Sequence, residues 1–440
     1  MLIENVQSGR DLAGHLDWFD ELEHEGNSIE NLPASKIALY QKEILNDLLR
    51  YLWEHNPAYH CKLEEAGYTG QTVNLDFLER IRFLTKEDLR EDYTSIQCAA
   101  SLAQIYCSTG TTGGDPIYMG HTLRELYQYY TAPRLPGLMV QFKKKKVANC
   151  LPYEMSSSAM SFHVEFQTMM ECTLLPLGKG GAYSQPVKAI DFMHKLKPEI
   201  MITTPSYAVT LFEEVQRQRA EFREVNIPLE MIILTGEGAS VALRKRIEQL
   251  WGCPAIIYYG SLETMLMGIE CSEQNGFHIP SGHIVMEIIN PSTGQVLEPG
   301  LTGEIVVTTL LREGMPLLRY RTGDLGYMDF TECTCGVRLP KVHMRGRMSD
   351  QITIGQASYS PLYLENIILS VAGVGNDYRF IVNQSSLIAE ITKNETEQDE
   401  DLLSLLVQSK LEFHLGETIE VRVVSSLPYT SGKAKRVCYE

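Results

Sequence analysis

The stretch between Val147 and Gly260 alternates short apolar runs with segments of helical periodicity. In order, the apolar runs are VANCLPY, TLLPLG, EIMITTP, MIILTG and AIIYYG. The helical segments between them are AMSFHVEFQTMMEC, KAIDFMHKL, AVTLFEEVQRQRAEF and SVALRKRIEQLWG. This repetition predicts layered α/β architecture with parallel strands. Because ligands bind at the carboxyl edge of such a sheet, the loops after these strands are the candidate functional segments.

The sequence on either side of this stretch has a different character. Residues 1–100 are predicted to be mostly helical, since apolar residues recur near a 3.6-residue period from Ile37 to His55. After Cys271, the segments HIVMEIINPSTGQVLEPG and GEIVVTTLLREGMPLLRYRTGD predict β-hairpins or a small barrel. A further change follows the polar stretch GRMSD, after which the pattern reads βαββα.

The predicted fold class is therefore α/β with two domains. The large N-terminal domain, residues 1–345, has layered α/β sheets and a β-rich subdomain. It divides into a mostly helical part (1–100), an α/β part (101–270) and a β-rich part (271–345). Residues 346–440 are predicted to form a small, mobile α+β C-terminal domain.

Charge and cysteine content restrict the class of partner. Lys and Arg total 39 against 56 Asp and Glu, a net charge of −17, which argues against general binding to nucleic acid or to a membrane surface. We find no signal-peptide pattern at the N-terminus and no apolar run of about 18 residues. The ten cysteines then predict reduced thiols or a metal site. These features predict a cytoplasmic protein with small-molecule partners.

One loop has an unusual composition. The segment CSTGTTGGDPIYMG, Cys107–Gly120, concentrates glycine, threonine and serine between Ser108 and Pro116. Glycines let backbone N–H groups turn toward an anion, and the hydroxyl groups add donors. A phosphate cradle and a mobile surface loop are both compatible with this composition. It is not a Walker A loop, because Gly113 is followed by Gly114 and Asp115 rather than by Lys and Ser or Thr.

Four further motifs follow this loop in a fixed order. They are IIYYGSLETM (Ile256–Met265), YRTGDLG (Tyr320–Gly326), MRGRMSDQI (Met344–Ile352) and SGK (Ser431–Lys433). Together with the loop, this set resembles the adenylate-forming superfamily of acyl-CoA synthetases.

Two other segments make the resemblance closest to phenylacetate-CoA ligases. RIRFLTKEDLREDY (Arg80–Tyr93) is similar to that family's Thr-Lys-Asp-Leu signature, and LTGEGAS (Leu234–Ser240) is similar to its Gly-Ala-Glu adenine loop. The resemblance implies ATP-dependent activation of a carboxylic acid, aryl or small acyl, to an acyl-adenylate. Transfer to coenzyme A then gives acyl-CoA, AMP and diphosphate. It also implies Mg²⁺ as a cofactor and a possible homodimer.

The resemblance also implies which residues bind ATP. The predicted ATP-binding residues are Ser108, Thr109, Gly110, Thr111, Thr112, Gly113, Gly236, Glu237, Tyr259, Gly260, Ser261, Asp324 and Arg347. The loop residues hold the β- and γ-phosphates, Asp324 accepts hydrogen bonds from the ribose hydroxyls, and Arg347 reaches the ribose or a phosphate. Gly236, Glu237 and Tyr259 bracket the adenine.

Lys433 and Glu263 are the predicted catalytic residues. Lys433 stabilises charge on the carboxylate and α-phosphate, and Glu263 binds Mg²⁺, which prefers carboxylate and phosphate oxygens. Each has a structural alternative. Lys433 could belong to a solvated C-terminal tail, Glu263 could be an acidic residue at a helix N-terminus, and Asp324 could be a turn aspartate beside glycine.

A second set of residues has the chemistry of a zinc site. Cys271 and His278 precede the pair Cys333 and Cys335, and three thiolates with one imidazole suit tetrahedral Zn²⁺. Phenylacetate-CoA ligase-like chains have a cysteine after the helix that follows Tyr-Gly-x-Ser-Glu, and a Cys-x-Cys-Gly before the hinge. The predicted role is structural, since four protein ligands leave no open position. The alternative is that these are ordinary buried cysteines.

His163 is a candidate for the acyl pocket. It lies after the Val147 strand, where the family has residues that face the acyl group. It could line that pocket or be a core histidine.

Several positions depart from the family pattern. Gly114 and Asp115 replace a single residue that is often lysine, and Leu262 replaces Thr or Ser. Ser349 replaces a hinge aspartate, and Gln356 stands where a glycine lets the C-terminal domain approach the CoA channel. Two alternatives to a CoA ligase therefore stay open. One is an adenylating enzyme that passes its acyl group to a carrier protein or an amine, and the other is a non-catalytic nucleotide-binding relative.

Overall fold

The structure is a computed structural model. It describes residues 10, 12–24, 28–99, 101–108, 115–126, 135–181, 183–383, 387–394, 399–427 and 436–439. Within these residues, no helix combines the length and apolar character that a membrane crossing requires.

The helices begin where the sequence supplies capping residues. Thr85 and Asp88 form a reciprocal capping box at the start of one helix, and five others have proline as their first residue. The helices are α1 Ala13–His24, α2 Ala34–His55, α3 Pro57–Glu65, α4 Lys86–Glu91, α5 Pro136–Met139, α6 Ser157–Thr168, α7 Pro186–Leu196, α8 Pro205–Ala220, α9 Val241–Trp251, α10 Pro361–Leu369 and α11 Glu400–Leu415.

The strands are short in the first half of the chain and longer in the second. They are β1 Gln104–Cys107, β2 Tyr118–His121, β3 Lys146–Asn149, β4 Thr173–Pro176, β5 Ile200–Thr203, β6 Met231–Leu234, β7 Ala255–Ser261, β8 Met265–Glu270, β9 Phe277–His278, β10 Ile284–Ile289, β11 Gly303–Thr309, β12 Tyr320–Asp329, β13 Lys341–Arg347, β14 Ile352–Ile354, β15 Ala357–Tyr359, β16 Val374–Val382, β17 Leu387–Lys393, β18 Glu420–Val423 and β19 Val437–Tyr439.

One large sheet organises the molecule. Its eleven strands run in the order β10-β11-β12-β13-β9-β8-β7-β6-β5-β3-β4. Neighbouring strands are parallel from β4 through β3, β5 and β6 to β7. All neighbours in the rest of the sheet, β7-β8-β9-β13-β12-β11-β10, pair antiparallel. The parallel strands have helices between them in the chain, and all four residues of β5 are buried. The α/β fold class predicted from the alternation is confirmed.

The N-terminal helical part packs on the sheet and reaches the site through one segment. Helix α2 buries one face, including Ile44, Leu48 and Leu52. Further along, Leu84 forms a parallel bridge with Tyr320 at the start of β12. This bridge brings the first turn of α4 beside the middle of β12.

The C-terminal residues form a four-stranded sheet in the order β18-β17-β16-β19, packed against α10 and α11. Leu403, Val407 and Leu411 recur every four residues on the buried face of α11. Their hydrophobic core is continuous with that around α8 and α9. The boundary predicted near Arg345–Asp350 falls at the end of β13.

Two local predictions were wrong. The Tyr-Gly-x-Ser-Glu motif is followed by strand β8 and not by a helix, because the chain turns at residues 262–264 and pairs back on β7. Asp324 lies inside β12 rather than after a turn. The β-hairpins predicted after Cys271 are present as β10–β11, β11–β12 and β12–β13, and they join the large sheet because β9 pairs with β8 and β13.

Candidate functional site

Two predicted nucleotide-binding motifs emerge at the same edge of the sheet. Strands β6 and β7 are adjacent and parallel, with Leu234 opposite Ile257. The Thr235 hydroxyl donates to the carbonyl oxygen of Tyr258 at 3.0 Å. Beyond it, Gly236 has φ +79°, a left-handed conformation that favours glycine. The adenine-loop segment and Tyr259 are therefore neighbours.

Tyr259, Asp324 and Arg347 form one connected group. The Tyr259 hydroxyl donates to Oδ2 of Asp324 at 2.8 Å, and Nε of Arg347 lies 3.4 Å from Oδ1. Asp324 and Arg347 face each other across the β12–β13 pair. Asp324 is only 6% exposed, and this burial raises the pKa of its carboxyl group, while the Arg347 charge opposes the rise. Both carboxylate oxygens are therefore held in fixed directions in a partly desolvated site.

Glu263 lies beside this group. It is 7% exposed in the turn after β7 and accepts a hydrogen bond from the hydroxyl of Tyr320 at 3.2 Å. The turn is tight, since a Cβ on Gly260 would lie 2.4 Å from the carbonyl oxygen of Met265. Ser261 accepts from the backbone N–H of Thr264 at 3.2 Å, so it stabilises the turn that positions Glu263. Position 260 thus requires glycine for backbone approach.

Glu237 has partners that the sequence did not indicate. Its carboxylate pairs with Nζ of Lys179 at 2.9 Å and accepts from the Ser206 hydroxyl at 3.0 Å. Lys179 follows β4 and Ser206 starts α8, so three loops at the strand ends meet here. No motif marks Lys179, because its relation to Glu237 exists only once the strands are side by side.

The candidate phosphate loop joins β1 to β2. The backbone N–H of Ser108 donates to the carbonyl oxygen of Ile117, just before β2, at 2.9 Å. The Ser108 hydroxyl accepts from the N–H of Ile117, also at 2.9 Å. Nε of Arg90 donates to the carbonyl oxygen of Asp115 at 3.1 Å, on the far side of the loop. Thr109, Gly110, Thr111, Thr112 and Gly113 lie outside the described residues.

Lys86 is a second cation that sequence reasoning did not assign. Its Nζ lies 3.8 Å from where a Cβ on Gly323 would stand, and its charge lowers the pKa of Asp324, opposing the effect of burial. The signal was present, since Lys86 is the lysine of the FLTKEDL segment. The bridge between Leu84 and Tyr320 carries it to the site.

Lys433 also lies outside the described residues. Arg436, the next described residue, has its guanidinium 4.2 Å from the ring centre of Tyr378 and donates to the carbonyl oxygen of Tyr378 at 3.1 Å.

Cys271, His278, Cys333 and Cys335 meet in space. Their ligand atoms all lie within 4.8 Å of one another. Sγ of Cys271 is 3.7 Å from Sγ of Cys333, and Sγ of Cys335 is 3.4 Å from Nε2 of His278. The other ring nitrogen, Nδ1, lies 3.2 Å from the carbonyl oxygen of Leu339, which orients the ring. The cluster joins the end of β8 and β9 to the connection between β12 and β13.

Comparison with known proteins shows the family. The profile of the AMP-binding enzyme family matches residues 58–310, more than half of the chain. The chain belongs to this family. It is 31% identical over 382 residues to a phenylacetate-coenzyme A ligase of Thermus thermophilus, covering 82% of both chains. The predicted enzyme class, an AMP-forming acid–thiol ligase similar to phenylacetate-CoA ligases, is confirmed.

Solved structures agree on the fold of this family member. It superposes on 2-hydroxyisobutyryl-CoA ligase in its postadenylation state with a TM-score of 0.85 at 20% identity, covering 93% of this chain and 91% of that one. The same ligase in its thioesterification state gives a TM-score of 0.67 at 21% identity, over the same shares.

Proposed function

We propose that this protein activates an aryl or small acyl carboxylic acid with ATP and Mg²⁺, and transfers the acyl group to coenzyme A. The observation that carries this proposal is the joined group of Tyr259, Asp324 and Arg347 with Glu263 beside it. These side chains come from both halves of the sheet and converge at the edge where ligands of such sheets bind.

The residues have distinct roles in this proposal. Asp324 accepts hydrogen bonds from the ribose hydroxyls, and Arg347 and Tyr259 hold its carboxylate in place. Glu263 is suited to Mg²⁺, because the ion prefers a carboxylate together with phosphate oxygens. Attack of one anion on another requires charge neutralisation, which Lys433, Lys86 and the loop amides after Ser108 would supply.

The acid would be accepted beside α6. The Tyr153 hydroxyl lies 3.1 Å from Nδ1 of His163, and the ring of Phe162 packs 5.1 Å from that of Tyr258, next to Tyr259. Phe162 and Tyr258 belong to the hydrophobic core, so the partly exposed Tyr153 and His163 are the side chains proposed to face an aryl or compact acyl group. The relative named above is a phenylacetate-coenzyme A ligase, which agrees with that chemistry.

The Cys/His cluster fits structural zinc. Zn–S bonds of about 2.3 Å in a tetrahedron place two sulfurs about 3.8 Å apart, against the 3.7 Å between Cys271 and Cys333. Burial raises the pKa of the Cys271 thiol to about 12, so without a cation the thiol would stay protonated at neutral pH. A zinc ion here would fasten the β12–β13 hairpin, which carries Asp324 and Arg347.

The test is ATP–diphosphate exchange with a panel of aryl and short-chain acids, followed by CoA-dependent release of AMP. We expect exchange with at least one acid and AMP release on adding CoA, and loss of exchange in Lys433→Ala. If exchange occurs but CoA does not release AMP, the acyl acceptor is not CoA. That result would agree with the departures from the family pattern at Ser349 and Gln356. No exchange with any acid would contradict the proposal. The cytoplasmic location and the possible homodimer stay predictions, checked by fractionation and light scattering.

A further inference from the structure

Helix α10 lies against the start of α9, directly after the predicted adenine loop. The first turn of a helix leaves backbone N–H groups without partners inside the helix. The Ser240 hydroxyl satisfies one of them, accepting from the N–H of Leu243 at 3.1 Å. Two other N–H groups at this end receive acceptors from α10, more than 120 residues further along the chain.

Glu365 and Asn366 supply these acceptors. Oε1 of Glu365 accepts from the N–H of Ser240 at 2.6 Å, and Oδ1 of Asn366 accepts from the N–H of Ala242 at 3.0 Å. Glu365 is 2% exposed, and its other oxygen accepts from the Tyr378 hydroxyl. A buried carboxylate bound on both oxygens is a strong and directional acceptor.

Further contacts of α10 reach the predicted adenine loop and the middle of α9. A Cβ on Gly238 would lie 2.9 Å from Cδ2 of Leu362, so the leucine covers that part of the loop backbone. On the other side, Arg246 of α9 donates to the carbonyl oxygen of Leu369 at 3.1 Å. One face of α10 therefore contacts residues 238–246 along their length.

A similar protein, 2-hydroxyisobutyryl-CoA ligase, matches this chain to different extents in two of its states. The TM-score against 2-hydroxyisobutyryl-CoA ligase is 0.85 for the postadenylation state and 0.67 for the thioesterification state. Coverage of this chain is 93% in both comparisons, so the lower score reflects a different placement of similar parts. The contacts of α10 belong to an arrangement like the first of these.

We propose that Glu365 and Asn366 are positioning residues for the adenylation step. They fix the adenine loop through the N–H groups of Ser240 and Ala242, and they release these groups when the C-terminal part moves for acyl transfer. This inference rests on the proposed function. Weakening the contacts slows formation of the acyl-adenylate and leaves transfer from a preformed acyl-adenylate unchanged or faster.

The test compares Glu365→Gln and Asn366→Ala with Glu420→Gln, a surface control on β18 whose carboxylate pairs only with the nearby Arg422 among the contacts described. We expect ATP–diphosphate exchange to fall about tenfold in Glu365→Gln and severalfold in Asn366→Ala, since hydrogen bonds to a charged group are the stronger ones. Single-turnover transfer from a synthetic acyl-adenylate to CoA should not fall. Equal losses in both half-reactions would indicate a merely structural role and overturn the inference.

A steric pair gives a second, compensating readout. Gly238→Ala should slow exchange by displacing Leu362, and adding Leu362→Ala should restore it by making room. Failure of the second change to restore exchange would overturn the role of this contact.

Hydrogen–deuterium exchange separates this inference from the proposed function, because it needs no turnover. The amides of Ser240 and Ala242 should be protected in the wild type and should exchange faster in Glu365→Gln and Asn366→Ala, but not in Glu420→Gln. Suppose that no acid supports ATP–diphosphate exchange but the two amides lose protection in Glu365→Gln and Asn366→Ala. The contact would then be supported, and the proposed function would be contradicted. Unchanged protection in the variants would overturn the contact itself.

Discussion

The parallel and antiparallel halves of the large sheet contribute to the candidate site in different ways. In the parallel half, the central strands β5 and β6 are short and mostly buried, and functional residues lie in the loops beyond the strands, as with Gly236 and Glu237 after β6. In the antiparallel half, Asp324 and Arg347 lie within paired strands, opposite each other. Loops can vary without disturbing a sheet, whereas residues within strands depend on the pairing itself. The antiparallel half should therefore be the more sensitive to changes that loosen its strands.

The largest expected effect is loss of the carboxylate at Asp324. Asp324→Asn should lower kcat/KM for ATP about 100-fold, because one acceptor oxygen becomes an NH2 donor and the negative charge that pairs with Arg347 is lost, so the ribose and Tyr259 compete for a single oxygen. The measurement is ATP–diphosphate exchange at varied ATP. The matched control, Asp191→Asn on the exposed surface of α7, should stay within twofold. A loss of similar size in both variants would contradict the role of Asp324.

Loss of the metal should destabilise the antiparallel half of the sheet more than the parallel half. If zinc holds the Cys/His cluster, Cys335→Ser should lower the melting temperature by roughly 5–10 °C. Hydrogen exchange should rise in β12 and β13 but not in β5 and β6. Cys61→Ser, at an exposed cysteine, is the control. Elemental analysis of the wild-type protein checks for zinc. If it finds none, zinc does not stabilise the β12–β13 hairpin.

The pair between Arg347 and Asp324 predicts a change with pH. Burial raises the pKa of Asp324 above its ordinary value and the Arg347 charge lowers it, so Arg347→Ala should raise it further. The carboxylate then becomes protonated at a higher pH, and the acid limb of kcat/KM for ATP should move to higher pH. Arg345→Ala, on the neighbouring strand position, serves as the control. A limb that moves to lower pH or does not move would contradict the pairing.

A smaller effect is expected at Lys86, which reaches β12 from the N-terminal helical part. Lys86→Met should raise KM for ATP about threefold with little change in kcat, since a partly exposed charge contributes modestly. Lys36→Met, at an exposed position of α2, should leave KM unchanged. If kcat falls instead of KM rising, Lys86 acts on the reacting groups rather than on nucleotide binding.

The sequence predicted the N-terminal helices and the parallel half well, because Ile37–His55 has a clear helical period and short apolar runs such as IMIT stand between helical segments. It also predicted the order of the motifs, and the structure brings Tyr259, Glu263 and Asp324 together. It failed where local pattern gave no guidance. The turn after Gly260 leads into a strand because the chain pairs back on β7, and Lys179 meets Glu237 only through strand order. The Lys179–Glu237 contact joins residues far apart in the chain, and no local period encodes it.

The central claim is that the two halves of the sheet meet to form one adenylate site. The most direct measurement is a crystal structure with ATP or AMP and an accepted acid. We predict that both ribose hydroxyls lie within hydrogen-bonding distance of the Asp324 carboxylate, with the adenine beside Gly236 and Tyr259. A nucleotide bound elsewhere, or one that leaves Asp324 without a ribose contact, would contradict the claim.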